Sequence, residues 1–208
     1  MVEQLQVRSS DRGPVIRTRN PRMLSRKALE ERAHNVRLVV TDNDGVLTDT
    51  GVYYSDEGEC LKRYSIRDGM GVELLRKAGI ETCIVTGEAS PSLLRRAEKL
   101  RIGKVYTSAR DKRATLDDIL TSTGFSPRNI AFIGDDINDI PLLEAVLSDG
   151  LTGCPADGVA LVKHAVHFQT LARGGNGAFR EFADWILYLR ASSPHTHDKE
   201  GAVNGDHR

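Results

Sequence analysis

Short apolar runs rich in β-branched residues alternate along the chain with longer stretches whose apolar positions recur every three to four residues. The first pattern predicts strands and the second amphipathic helices. Strands are expected at residues 37–41, 80–86, 104–107, 129–133 and 165–168. Residues 51–55 and 59–65 flank Asp56-Glu57-Gly58, the pattern of a β-hairpin. Met70, Leu74, Leu75 and Ala78 fall on one helical face, ended by Gly79. Ser90-Pro91 supplies an N-cap and a first-turn proline for a helix running to about Leu100. Asp111 caps another, with Leu116, Ile119, Leu120 and Thr123 inward and Gly124 closing it. Residues 138–146 form a further helix, and the stripe of Phe179, Phe182, Ile186 and Leu189 a last one, read as core.

Strands alternating with helices predict an α/β fold: a doubly wound, Rossmann-like parallel sheet, here with a protruding hairpin. Ligands of such sheets sit beyond the carboxyl ends of the strands. Three expected strand ends carry chemistry there: Asp42, Thr86-Gly87 and Gly134-Asp135-Asp136.

Length and charge narrow the picture. A chain of 208 residues suits one compact domain. Lys+Arg 29 balances Asp+Glu 29, and aromatics are 5%, so neither a basic surface nor base-stacking platforms point to nucleic acid. Residues 1–36 read as a basic extension, with nine Lys/Arg against four Asp/Glu up to Arg37, ending in a short helix near residues 24–33. Residues 37–190 form the expected domain. Residues 191–208 form a polar tail, with His195, His197 and His207 read as part of a frayed end rather than a metal site. Cys60, Cys83 and Cys154 are too scattered for a zinc site and read as reduced thiols. With no membrane-length apolar run and no secretory signal, a cytoplasmic protein is expected.

The stretch VVTDNDGVLTD, residues 39–49, ends a buried strand in two carboxylates one residue apart. Repulsion and desolvation both oppose that placement, and a cation, a proton or a reaction would justify it. A calcium loop starting at Asp42 fails, because Val46, Leu47 and Tyr53 stand where an EF-hand needs an oxygen ligand, glycine and glutamate. A receiver domain carries its phosphorylated aspartate after the third strand, not the first.

Asp42–Asp49, Thr86-Gly87, Lys112 and Gly134–Asp139, taken in order, resemble the four motifs of the haloacid dehalogenase superfamily of phosphotransferases. The resemblance implies a nucleophile at Asp42, which would form an aspartyl-phosphate, and a general acid and base at Asp44. It implies Mg²⁺ held by the Asp42 and Asp135 carboxylates and by the backbone carbonyl of Asp44. Thr86, the Gly87 N–H and Lys112 would hold the phosphoryl oxygens, with Asp139 orienting Lys112. Asp136 is either a supporting carboxylate or a solvated one. Asn43 departs from the apolar residue usual between the aspartates.

Residues 51–66 leave no room for a folded cap domain. Gly51-Val52-Tyr53-Tyr54, Gly58-Glu59, Lys62, Tyr64, Arg67-Asp68-Gly69-Met70-Gly71 and the run from Arg173 to Glu181 look like the cap-less 3-deoxy-octulosonate 8-phosphate phosphatase family. That family implies a homotetramer whose hairpins complete neighbouring active sites, and a small sugar-acid phosphate as substrate. Arg67 and Arg173 are then either substrate cations or surface ion pairs, and the glycines after Arg173 suggest a mobile loop. Glu88 and Lys99 resemble instead the subclass acting on nine-carbon acids, although Lys99 also fits a solvated helix face. A catalytically silent assembly module and a metal- or phosphate-responsive binding protein are the competing readings.

Overall fold

In the computed structural model, residues 24–192 are described, and they form a six-stranded parallel sheet with a separate two-stranded hairpin. The sheet order is β5-β4-β1-β6-β7-β8, with β1 Leu38–Thr41, β4 Glu81–Val85, β5 Lys104–Tyr106, β6 Ile130–Ile133, β7 Leu151–Cys154 and β8 Phe168–Gln169. The hairpin joins β2 (Thr48–Ser55) to β3 (Gly58–Tyr64). From β1 the chain adds β4 and β5 on one side, then crosses to add β6, β7 and β8 on the other. This reversal puts the crevice of a doubly wound sheet at the carboxyl end of β1.

Alternation along the strands splits the interior in two. Val39 and Ile84 face a core shared with helices α1 (Arg26–Asn35), α2 (Ile66–Lys77), α3 (Pro91–Leu100) and α7 (Ala178–Ala191). Val40 and Val85 face the other core, packed by α4 (Lys112–Thr123), α5 (Ile140–Leu147) and α6 (Ala160–Lys163). The stripe of Phe179, Phe182, Ile186 and Leu189 is buried, as periodicity predicts.

Four expectations change. The inner face of α2 is Asp68, Gly71, Val72 and Leu75, while Met70 and Ala78 are exposed. A buried carboxylate turns the helix: Asp68 accepts from the Gly177 and Arg180 N–H groups, satisfying donors at the start of α7 that no helical carbonyl can reach. β7 was not expected, since LTGC has no alternation, yet all four residues are buried between β6 and β8. The last strand lies at Phe168–Gln169 and shares only Phe168 with the expected 165–168 segment, whose Ala165 and Val166 pack in the core. The helix near residues 24–33 forms as α1, capped by Ser25, and Ala33 and Val36 are fully buried, so the compact body begins well before residue 37. The rest of the basic extension and the histidines of the polar tail lie outside the described residues. No helix among the described residues is long and apolar enough to cross a membrane.

Candidate active site

The site is built from strand ends. β1 delivers Asp42, whose N–H continues the ladder to Ile133 O at 3.0 Å and whose residue is 4% exposed. The chain then turns at Gly45, with φ +91°, and a Cβ there would lie 2.0 Å from Asp135 Oδ2. Only glycine lets the β1 and β6 loops meet this closely. β4 delivers Thr86, 2% exposed, whose hydroxyl accepts from the Glu88 N–H at 3.2 Å. The first turn of α4 delivers Lys112, whose side chain is 1% exposed.

Lys112 Nζ lies 2.9 Å from Asp42 Oδ1 and 2.6 Å from Asp139 Oδ1. The second oxygen of Asp139 accepts from the Asp135 and Asp136 N–H groups at 2.9 and 3.2 Å. Asp139 therefore ties the lysine to the loop after β6. Burial works against the charge of Lys112, but Asp42 and Asp139 outweigh it and hold the ammonium above its ordinary value. Burial raises the Asp42 carboxyl above the usual range, aided by Asp139 and opposed by Lys112. Burial, together with the charges of Asp42 and Asp139, pushes Asp135 up to about 8.

Asp42, Asp135 and Asp139 bring carboxylate oxygens within 4.8 Å of one another. Asp139 is already engaged by Lys112, whereas Asp135 Oδ1 is buried without a partner. An orphaned carboxylate oxygen beside a second carboxylate, in an all-oxygen donor set, fits a hard divalent cation. The Asp44 carboxylate points elsewhere, toward Lys62 at 2.8 Å.

A cleft of about 210 Å³ exposes Asp42, Asp44, Thr50, Thr86, Gly87, Glu88, Asp135, Asp136 and Asn138 together. Gly87, Glu88 and Asn138 also line an adjoining cleft with Ser108 and Arg110. Asp136 caps the 3₁₀ turn of residues 137–139 through Ile137 N–H at 2.7 Å. Arg67 is exposed at the start of α2, and Lys99 is exposed on α3; neither lines these clefts. Arg173 pairs with Asp157 at 3.1 Å, the ion-pair alternative. The glycines after it are not hinges. A Cβ on Gly174 would sit 1.9 Å from Gly45 O, and Gly175 N–H donates to Val46 O at 2.9 Å. They clamp the Asp42–Asp49 loop from behind, which corrects the mobile-loop expectation.

Three cleft residues escaped sequence reasoning. Thr50 enters through the root of the hairpin with φ +65°, a conformation no β-branched residue advertises. Asn138 and Arg110 carry no motif of their own, and Arg110 matters because its guanidinium has no acidic partner among the described residues.

A buried lysine bridging two aspartates at the end of the first strand, with a third acidic strand end beside it, defines a haloacid dehalogenase-type α/β hydrolase. Similarity agrees with the geometry, although no family model matches the chain. The 3-deoxy-D-manno-octulosonate 8-phosphate phosphatase of Haemophilus influenzae is 35% identical over 165 residues, 79% of this chain and 90% of the relative. A HAD superfamily (subfamily III A) hydrolase structure from Legionella pneumophila superposes with a TM-score of 0.75 at 33% identity, covering 79% of this chain and 89% of that one. The Moraxella catarrhalis 3-deoxy-D-manno-octulosonate 8-phosphate phosphatase, solved with magnesium, phosphate and KDO, gives 0.73 at 32% identity, covering 78% and 92%. The chain belongs to the 3-deoxy-D-manno-octulosonate 8-phosphate phosphatase family, a family of phosphoric monoester hydrolases.

Proposed function

We propose that the protein is a Mg²⁺-dependent phosphatase acting on the phosphate monoester of a 2-keto-3-deoxy sugar acid. The observation that carries the reading is the bridge of Lys112 between Asp42 and Asp139, with Asp135 Oδ1 left unpartnered beside it. Asp42 attacks phosphorus, the ester P–O bond breaks, and Asp44 gives a proton to the departing sugar oxygen. Water then attacks the aspartyl-phosphate, Asp44 takes its proton, and Asp42 is regenerated. Lys112, the Thr86 hydroxyl and the Gly87 N–H steady the phosphoryl oxygens while charge moves. Asp42, Asp135 and the Asp44 carbonyl would hold Mg²⁺, which when bound neutralises repulsion between carboxylate and phosphoryl group.

The sugar lies away from the phosphoryl group along the adjoining cleft. Glu88 and Asn138 face its hydroxyls, and the Arg110 guanidinium, without an acidic partner among the described residues, meets its carboxylate, a planar pairing suited to arginine. Arg67, Lys99 and Arg173 line neither cleft and would reach substrate from a neighbouring subunit. The exposed Tyr53, Tyr54 and Leu61 of the hairpin support such a homotetramer. Light scattering on the pure protein checks it, and a fully active monomer would overturn it.

Phosphate release screened over sugar phosphates, with and without chelator, tests the whole reading. Mg²⁺-dependent turnover of the eight-carbon ester 3-deoxy-D-manno-octulosonate 8-phosphate is expected, in line with the relatives. No turnover of any ester would favour the assembly-module or binding-protein alternative. Glu88 in the cleft favours a second reading, the nine-carbon ester 2-keto-3-deoxynononate 9-phosphate, because a carboxylate accepts hydrogen bonds from extra hydroxyls but repels a substrate acid. On this reading wild type prefers the nine-carbon ester in kcat/KM, and Glu88→Arg shifts the ratio about tenfold toward the eight-carbon one. A ratio unmoved by the substitution removes Glu88 as the selector.

A further inference from the structure

The carboxylate of Asp44 is gripped by one oxygen only. Oδ1 accepts from the Asn43 amide at 3.1 Å and from the Thr48 hydroxyl at 3.3 Å, and Lys62 Nζ stands 2.8 Å away. Oδ2 is buried and has no partner. Lys62 comes from β3, in a hairpin whose residues are mostly exposed, yet its side chain is 1% exposed. Its ammonium also lies 3.3 Å from Glu59 Oε2, and Ser90 and Ser92, at the start of α3, donate to Glu59 Oε1. Asn43 is 0% exposed and stands where an apolar side chain would be the cheaper occupant. Two costly buried polar groups from different elements thus converge on one oxygen of one aspartate.

We propose that Lys62 and Asn43 are positioning residues that hold Asp44 by Oδ1, keep its carboxylate away from the cation site, and present Oδ2 alone to the leaving oxygen. The proposal rests on the reading of Asp44 as general acid and base. An aspartate two residues from Asp42 has every electrostatic reason to turn toward a divalent cation bound by Asp42 and Asp135. A carboxylate that ligates the cation cannot carry a proton. Three donors on Oδ1 offset that pull and leave only Oδ2 chemically free. Oδ2–H then protonates the departing sugar oxygen as the P–O bond breaks, and Oδ2 later receives the proton of the attacking water. Since Lys62 is braced by Glu59 and through it by α3, the hairpin fixes the acid as well as shielding the cleft.

The test compares a poor with a good leaving group. The variants are Lys62→Met and Asn43→Leu, both keeping side-chain bulk. The probes are 3-deoxy-D-manno-octulosonate 8-phosphate, which leaves as an alkoxide and needs the proton, and p-nitrophenyl phosphate, which does not. In Lys62→Met, the single-turnover rate of leaving-group release, which precedes the hydrolysis step common to both esters, should fall about thirtyfold or more for the sugar ester but less than about threefold for the aryl ester. KM should change little, and calorimetry should show Mg²⁺ binding severalfold more tightly, because the freed carboxylate joins the cation. Asn43→Leu should show the same split at smaller size, and it keeps the proposal testable if Lys62→Met does not fold. Equal losses on both esters with unchanged Mg²⁺ affinity would mean that the cluster is only structural, overturning the proposal. Asp44→Asn is the control for the underlying reading: if it slows single-turnover leaving-group release equally for both esters, the acid assignment fails, and the clamp with it.

Discussion

The two ends of the sheet treat charge in opposite ways. At the carboxyl ends of β1, β4 and β6, Lys112, Asp42 and Asp139 are packed together with side chains at most 6% exposed. At the amino ends of β4 and β5 a cleft of about 400 Å³, of the same order as the cleft of about 480 Å³ adjoining the site, is lined by Arg76, Glu81, Arg101 and Lys104. There Arg76 pairs with Glu73 at 3.0 Å and Lys104 with Glu81, all with side chains at least a third exposed. Exposed pairs cost little to form and contribute about 0–1 kcal/mol. Buried ones carry desolvation costs of several kcal/mol per ion, and breaking one leaves an uncompensated charge. The folded chain accepts that cost where three carboxylates, one lysine and an orphaned oxygen converge. Cleft volume does not separate the two ends of the sheet; the burial of charge does.

The largest effect should come from the centre of the buried cluster. Asp42→Asn keeps the shape but cannot form an acyl phosphate, and it removes the partner that Lys112 meets at 2.9 Å. Steady-state phosphate release should fall by about a thousandfold or more. Near-normal turnover would refute the nucleophile and end the contrast between the two ends. Next comes the loop that supports the cluster. In Gly174→Ala the new Cβ would lie 1.9 Å from the carbonyl oxygen of Gly45, a backbone atom with no flexible end to yield. A loss of about 3 kcal/mol is expected, read as a fall in thermal midpoint together with a fall in kcat. An unchanged midpoint would mean that the loop relaxes, and that the rim is less tightly built than the geometry says.

The ease of reading the site from the sequence follows the same division. Asp42, Thr86 and Asp135 were legible because each follows a run whose apolar pattern marks a strand end, and strand ends in such sheets converge by topology; Lys112 came from the resemblance to the four-motif pattern. Asp139 was named as the partner of Lys112 through that resemblance as well. What depends on tertiary packing was not. β7 hides in LTGC because a strand covered on both faces needs no alternation. The face of α2 was misassigned because the buried position is an aspartate, Asp68, serving another helix. Gly174 and Gly175 looked like hinge residues because sequence shows the freedom of glycine but not the backbone pressed against it. Arg110 and Lys62 reach the site from positions that no local pattern distinguishes from surface charge.

A third prediction separates the two ends by pH. Without a cation, Asp135 in the folded protein is pushed up to about 8, whereas in the unfolded chain it ionises near the ordinary value of about 4. Between those values the metal-free folded state holds a proton that the unfolded state has released. Its stability from this group is therefore present in full below about 4 and is lost as pH rises toward 8. A cation must displace that proton, so apparent Mg²⁺ affinity should strengthen by up to about tenfold per pH unit up to about 8, then level off. Thermal shift on adding Mg²⁺, measured from pH 6 to 9, reads it directly. A shift independent of pH would mean that Asp135 is ionised before the cation arrives.

The smallest effect is expected at the amino end, where the comparison makes its riskiest claim. Lys104→Gln removes the ammonium that pairs with Glu81 in the amino-end cleft, and that pairing is the main cause that raises the lysine's affinity for its proton. Glu81 keeps its solvent contact, with a side chain 64% exposed, so no charge is stranded. The thermal midpoint should drop by no more than the equivalent of about 0.5 kcal/mol, and the difference should fade with added salt. Neither kcat nor KM should move, since β5 carries the residue at its start and contributes to the site only from the loop beyond its end. A fall in kcat/KM of about tenfold would show instead that the amino-end cleft takes part in catalysis or binds an effector. Charge burial would then have failed to mark which end of the sheet is functional.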